Sequence, residues 1–207
     1  MSRKATSANR TLADLPGQLI RLRPFRPDEV DAAWQGLARE DEATHPRRHA
    51  EDRRPQASEQ FRRRMHRSGR LWRGMLDLAI DRDGRSVGTI QARTSPKQTL
   101  PPDVYEIGIV LYEPQDRGHG YGAEAVELLT TWLFTTLGAE RVQASTDVRN
   151  KAMRAVLERL EFQLEGVMRS YGTRGDGTRG DGALYAVIKS EWASRQREPL
   201  ADRVQLR

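Results

Sequence analysis

The chain of 207 residues contains no cysteine. Disulfides, thiolate metal sites and a cysteine nucleophile are therefore excluded. No apolar run approaches the ~20 residues that cross a bilayer. The opening stretch, MSRKATSANRTLADLPG, lacks the apolar core of a secretory signal. These absences lead us to expect a soluble, cytoplasmic protein with no membrane partner. Arginine, by contrast, is abundant. Lys and Arg number 35 against 29 Asp and Glu, a formal net charge of +6, with a pI near 10.0. Nucleic-acid binders share such values. Here the excess concentrates in residues 46–73, where acids are interspersed, and a nucleic-acid arm usually lacks those acids. A solvated basic surface is the preferred reading, and nucleic acid is not the expected partner. No carboxylate joins His45, His49 and His66 in a recognised metal motif, so no metal is expected.

The length suits one domain. Residues 1–16 and 193–207 read as polar tails around a single domain spanning 17–192. QLIRLRPF is a short strand whose apolar positions are Leu19, Leu22 and Phe25. A helix follows over 26–40, with Asp28 as N-cap. A second, very basic helix covers about 56–68, its thin apolar face suggesting a flap rather than a core element. The period then changes to two. Asp83-Gly84 between alternating runs marks a hairpin, and VYEIGIVLYEP adds a third strand. Next come a glycine-rich stretch and helix to about Leu137, a strand over 139–148, a helix over 150–162, a strand over 163–171 and a last strand over 183–192. The order β-α-α-β-β-β-α-β-α-β-β implies an α+β (mixed α/β) fold. Its first half is an antiparallel meander, and its second half carries β-α-β crossovers that favour parallel pairing. A tandem TRGDG copy before the last strand reads as a lengthened hairpin loop rather than an adhesion signal.

The stretch that demands explanation is RGHGYG, Arg117 to Gly122. Three alternating glycines precede an amphipathic helix. A helix N-terminus carries unpaired N–H groups and a partial positive charge, and a glycine loop lets an anion reach those amides. A phosphate or pyrophosphate site is the natural reading. Gly118-x-Gly120-x-x-Ala123 also fits a dinucleotide fingerprint, with Glu140 about the right ~20 residues on. Against that reading, Glu140 precedes the next strand, and the loop follows an antiparallel meander.

The chain resembles the GNAT superfamily of acetyl-CoA-dependent N-acetyltransferases. The residues that carry the resemblance are Arg117-Gly118-His119-Gly120-Tyr121-Gly122, matching that family's R/Q-x-x-G-x-G/A motif, with Glu106-Ile107-Gly108 upstream, Asn150 opening the following helix, and Phe162 in LERLEFQLEG. The closing ALYAVIKSEW is similar to the last strand of the RimJ/RimL-like branch, which acetylates protein N-termini and, in relatives, small amines. The resemblance implies a mostly antiparallel mixed sheet of about six to seven strands flanked by helices, with acetyl-CoA as co-substrate. It implies that Arg117, Gly118, His119, Gly120, Tyr121 and Gly122 hold the pyrophosphate. The strand from Ile109 to Tyr112, with Val110, Leu111 and Tyr112 against the cofactor, would offer a free amide to the thioester and an edge to pantetheine. Glu106 would be the catalytic base, and Asn150 would orient pantetheine or water. Two departures stand out. Glu161 replaces the usual glycine before Phe162, and Leu157 stands where many members carry a tyrosine acid. The expected acceptor is a primary amine, a protein N-terminal amine first. A small antibiotic- or polyamine-type amine, or a non-catalytic acyl-CoA-binding or nucleic-acid-associated protein, is the alternative. Homodimers are common in the resembling branch.

Overall fold

The computed structural model describes residues 13–44, 55–94, 100–174 and 176–195, without the side chains of 39–44 and 55–58. His45, His49, residues 46–54 of the arginine-rich segment and the final residues lie outside this range. The elements are β1 (Leu15–Pro16), β2 (Arg21–Arg23), α1 (Val30–Thr44), α2 (Pro55–Met65), β3 (Met75–Arg82), β4 (Arg85–Arg93), β5 (Val104–Leu111), α3 (Tyr121–Thr135), β6 (Arg141–Asp147), α4 (Lys151–Arg159), β7 (Gln163–Thr173), β8 (Arg179–Ile188) and α5 (Lys189–Arg195). The strands form one eight-stranded sheet in the order β1-β2-β3-β4-β5-β6-β8-β7. All neighbours are antiparallel except β5 and β6. That parallel pair is the β5-α3-β6 crossover expected from the sequence.

Both faces of the sheet are covered, which explains the nearly unbroken burial along β3. On one face Leu76, Leu78, Ile80, Ile90, Tyr105 and Ile107 pack with Val126, Leu129 and Leu133 of α3 and with Leu157 of α4. On the other, Ala79 and Tyr112 meet Phe25, Val30 and Ala33 near and on α1, and Phe61 and Met65 on α2. The basic helix α2 is therefore a docked element and not a flap: its two apolar residues are buried, and Phe61 lies 5.2 Å from the ring of Trp34.

The hairpin between β3 and β4 turns at Asp83-Gly84, both with positive φ, as the dipeptide requires. Three local expectations are corrected. Asp28 does not cap α1. A 3-10 turn, Pro27–Glu29, precedes the helix, and the Glu29 carboxylate accepts from the Arg26 amide at 2.9 Å. Leu19 is not a core position. Ile20 is buried in its place, while Leu22 and Phe25 are buried as expected. The last strand ends at Ile188 rather than 192. There the Glu191 carboxylate accepts from the Ile188 amide at 3.1 Å and starts α5, a local cap that competes with continued pairing. Trp192 then closes the core beside Phe134 and Phe162.

The TRGDG duplication spans the β7–β8 hairpin, and its two copies do different work. Arg174 of the first pairs with Asp147 at 2.8 Å, while Arg179 of the second lies in β8 and donates to Ser170 Oγ. Asp176 caps the turn at Thr178, and Asp181 accepts from the Ser170 amide.

Arg23 ties β2 to β3 and to the entry of α1, bridging Glu29 at 2.6 Å and Asp81 at 2.5 Å. Burial pushes the Glu29 carboxyl upward, but the Arg23 guanidinium and the Arg26 amide outweigh it and hold the group below its ordinary value of 4.5. A depressed carboxyl contributes stability above its unfolded value, and that stability is lost as pH falls through the folded value. Thermal unfolding midpoints should therefore drop as pH falls below about 4.5. Glu29→Gln should be less stable at neutral pH and flatter across the acid range. An unchanged acid slope in the variant would remove Glu29 from this role.

Candidate active site

The glycine stretch lies between β5 and α3, and its conformation explains two of the three glycines. Gly118 and Gly120 have φ of 79° and 85°, in the left-handed region where a Cβ is disfavoured. A Cβ on Gly120 would also meet Leu19 Cδ1 at 3.1 Å. Gly122 is helical and faces Ile109 and Leu111 of β5. The first amide of this region with a helical partner is that of Glu124, donating to the Gly120 carbonyl. Among the described residues, the amides from Gly118 to Ala123 have no protein acceptor. They form an anion-ready N-terminus on a helix of 15 residues.

The surroundings hold that loop in place. Glu124 accepts from the amides of Gln18, Leu19 and Ile20 at 2.6, 2.9 and 2.9 Å, which seats Leu19 over Gly120. Arg82 donates to the Leu19 carbonyl and lies 5.7 Å over the Tyr121 ring. Arg85 grips Asp116 with two hydrogen bonds. Arg117 reaches back to the Leu111 carbonyl at 3.3 Å. The His119 ring is exposed and contacts the Gln115 carbonyl.

β5 continues the site. It pairs with β6 only through Val104–Glu106 against Arg141–Gln143. Beyond that the strands diverge, while β6 stays paired with β8 along its whole length. The β4–β5 register runs without a shift from Arg93–Glu106 to Gly88–Leu111, so β5 is splayed and not bulged. The Tyr112 amide donates to Val87 at 3.0 Å. Antiparallel alternation then directs the amides of Glu106, Gly108 and Val110 toward β4 as well. Those of Ile107, Ile109 and Leu111 face the gap. Of Val110, Leu111 and Tyr112, only Leu111 thus turns its backbone to the opening. The Tyr112 ring is buried under Gly36 of α1, and burial pushes its hydroxyl far above the usual range.

Glu106 stands at the apex, where β5 and β6 part. Its carboxylate is ion-paired with Arg93 and accepts from Gln143 Nε2 at 3.2 Å. Gln143 is held in turn by Arg141, which is paired with Glu165. A polar row so crosses from β4 to β7. Asn150 caps α4, accepting from the Met153 amide at 3.1 Å. Leu157 is fully buried in the core and supplies no acid. Glu140 pairs with Lys189 at the opposite end of α3 from the glycines. With a largely antiparallel sheet, that placement removes the dinucleotide reading. Among the described residues no group of three or more His, Asp or Glu side chains could hold a metal ion.

Residues 20–163 match the acetyltransferase (GNAT) domain. The chain belongs to the GNAT acetyltransferase family. Among its relatives are an uncharacterized N-acetyltransferase, p20, of Bacillus licheniformis, 33% identical over 37% of this chain and 42% of that protein. Mycothiol acetyltransferase of Pseudarthrobacter chlorophenolicus is 28% identical over 80% of this chain and 50% of its own length. The chain thus spans half or less of these curated relatives. The GNAT fold is shared with Mycobacterium smegmatis RimJ, solved with CoA-disulfide (TM-score 0.67, 24% identity, 95% of this chain and 93% of that one). It is shared too with ribosomal-protein-S5-alanine acetyltransferase of Vibrio fischeri (TM-score 0.69, 17% identity, 87% and 98%). Splayed strand, glycine loop and helix are consecutive in the chain. The parity of the β5 amides was not readable from the sequence, because it depends on the register with β4.

Glu124→Ala removes three charge-assisted bonds at once, and should lower the unfolding free energy by about 2 kcal/mol. Chemical denaturation checks this. A loss below about half a kcal/mol would mean that the loop over Gly120 is held by other contacts.

Proposed function

We propose that this chain is an acetyl-CoA-dependent N-acetyltransferase acting on a primary amine, in the first instance a protein N-terminal amine. The observation that carries the reading is the continuity of unpaired backbone donors. They run from Gly118–Ala123 at the α3 N-terminus, along the free edge of β5, to Glu106 at the apex. Amides at the helix end suit a pyrophosphate, with Arg117 as its cation. The Ile107, Ile109 and Leu111 edge can pair with the amide groups of pantetheine as an added strand would. An amide near the apex is placed to polarise a thioester carbonyl, a contribution of a few kcal/mol when preorganised. Asn150, already committed to its cap through Oδ1, keeps its amide nitrogen for pantetheine or a water.

The amine nitrogen attacks the carbonyl, the C–S bond breaks, and CoA leaves as the thiolate. With Leu157 buried, that thiolate leaves unprotonated or takes its proton from water. An α-amine has a reference pKa of about 7.7–8, so a modest base suffices. Glu106 fills that role, directly or through a water, while Arg93 and Gln143 fix its orientation. The likeness in fold to RimJ and to an acetyltransferase of ribosomal protein S5 supports a protein N-terminus as acceptor. The relative named for mycothiol keeps a small amine as the alternative.

Calorimetric titration with acetyl-CoA should give micromolar binding and no signal with NADH. Gly120→Val should weaken it by at least about tenfold, since a β-branched residue is strained at this φ. Acetyl-CoA silence in the wild-type chain would overturn the assignment; binding without transfer to any amine would favour an acyl-CoA-binding protein. Glu106→Gln should lower kcat/KM by about a hundredfold near neutral pH. The deficit should shrink as pH rises past about 8, where an α-amine deprotonates unaided. An unchanged kcat/KM across pH would exclude Glu106 as the base.

A further inference from the structure

Trp72 is a large apolar residue with 40% of its surface exposed. Two guanidinium groups lie over its ring, that of Arg67 at 4.4 Å and that of Arg73 at 4.8 Å. Trp72 and Met75 exchange hydrogen bonds of 2.8 and 2.9 Å, closing a two-residue turn on Arg73 and Gly74. Both central residues have positive φ, 48° at Arg73 and 77° at Gly74. The first place of such a turn favours Asn, Asp or Gly; arginine is strained there. Strain of this kind, retained at an exposed position, points to a use for the side chain.

The charges nearby are not uniformly free. Arg62, Arg63 and Arg64 each hold a carboxylate, those of Asp31, Glu59 and Asp77. Among the described residues Arg67 and Arg73 hold none; Arg67 donates only to the Arg63 carbonyl. Two cations on one indole repel each other until an anion joins them. Held over the ring, the two guanidinium groups keep further N–H donors beyond the one Arg67 gives to Arg63, and guanidinium N–H pairs grip carboxylates.

The cluster lies at the reacting end of the sheet. Met75, Arg93 and Glu106 are consecutive partners in register, so their side chains share the face on which α2 packs. Met75 is two strands, roughly 10 Å, from Glu106. We infer that Arg67, Trp72 and Arg73 form a specificity clamp for an acidic side chain of the acceptor, a few residues from the amine being acetylated. This rests on the acetyltransferase reading and names its acceptor as an acidic peptide. A nucleic acid is the less favoured occupant, because Arg62, Arg63 and Arg64 are already neutralised and a polyanion binds best along a long row of free cations.

The test uses the full chain and three peptides with free N-termini and a C-terminal fluorophore, carrying glutamates, glutamines or lysines at their third to sixth positions. Binding is read by fluorescence anisotropy with and without CoA. The glutamate peptide should bind at least about tenfold more tightly than the glutamine peptide, and the lysine peptide should not bind. Arg73→Asn relieves the turn, so its melting temperature should hold or rise. The same variant should lose about fivefold or more of the acidic-peptide affinity, with acetyl-CoA affinity unchanged; Arg67→Gln should act likewise. Equal binding of the three peptides, or full affinity in both variants, would overturn the clamp. So would a single-stranded oligonucleotide that displaces the glutamate peptide at lower concentration. Acetyl-CoA calorimetry on the same samples reports separately: a chain that binds acetyl-CoA but not the glutamate peptide fails this inference alone.

Discussion

Everything at the candidate site follows from a single break in the sheet. β5 and β6 share only three residue pairs before they part. A parallel crossover must leave the sheet, run as a helix and return, and here α3 does so directly after β5. Because β6 remains fully committed to β8, the gap falls on the β5 side and leaves Ile107, Ile109 and Leu111 with unpaired backbone groups. Buried or half-buried donors of this kind are costly unless they find a partner. A ligand arm with its own amides is a suitable partner. The helix that follows β5 begins at the open end, so the anion-binding amides adjoin the free strand edge.

The loops around that opening are held by ion pairs with distinct tasks. Glu124 seats Leu19 over the glycine turn, Arg85 anchors Asp116, and Arg23 fastens the entry of α1 to β3 through Glu29 and Asp81. Across the apex, the row from Arg93 through Glu106, Gln143 and Arg141 to Glu165 fixes a carboxylate that would otherwise rotate freely. The arginine richness of the chain is thereby partly accounted for. Many of these cations bind carboxylates within the fold, while among the described residues the pair on Trp72 holds none.

Much of this was legible beforehand where a local rule decides. Asp83-Gly84 specified its hairpin because both residues tolerate positive φ. The alternation along 75–93 and 104–111 specified strands, and Gly118 and Gly120 specified a tight turn into a helix. The failures came where a side chain several residues away intervened. Asp28 looked like a cap, but the Glu29 carboxylate took the Arg26 amide. Residues 189–192 read as the end of the last strand, but Glu191 started a helix there. The basic helix α2 looked too polar to dock, yet two apolar residues one turn apart sufficed to bury it.

The sequence by itself determined the family, the glycine turn and the identity of the carboxylate at the apex, because each is carried by residues close together in the chain. Only the tertiary structure decided which β5 amides are free. That depends on register with β4 and on the loss of β6, both set by pairing across many intervening residues. Tertiary structure alone also brought Met75, next to the Trp72–Arg73 turn, to the same end of the sheet as Glu106. β4 lies between them, and its Arg93 pairs with both.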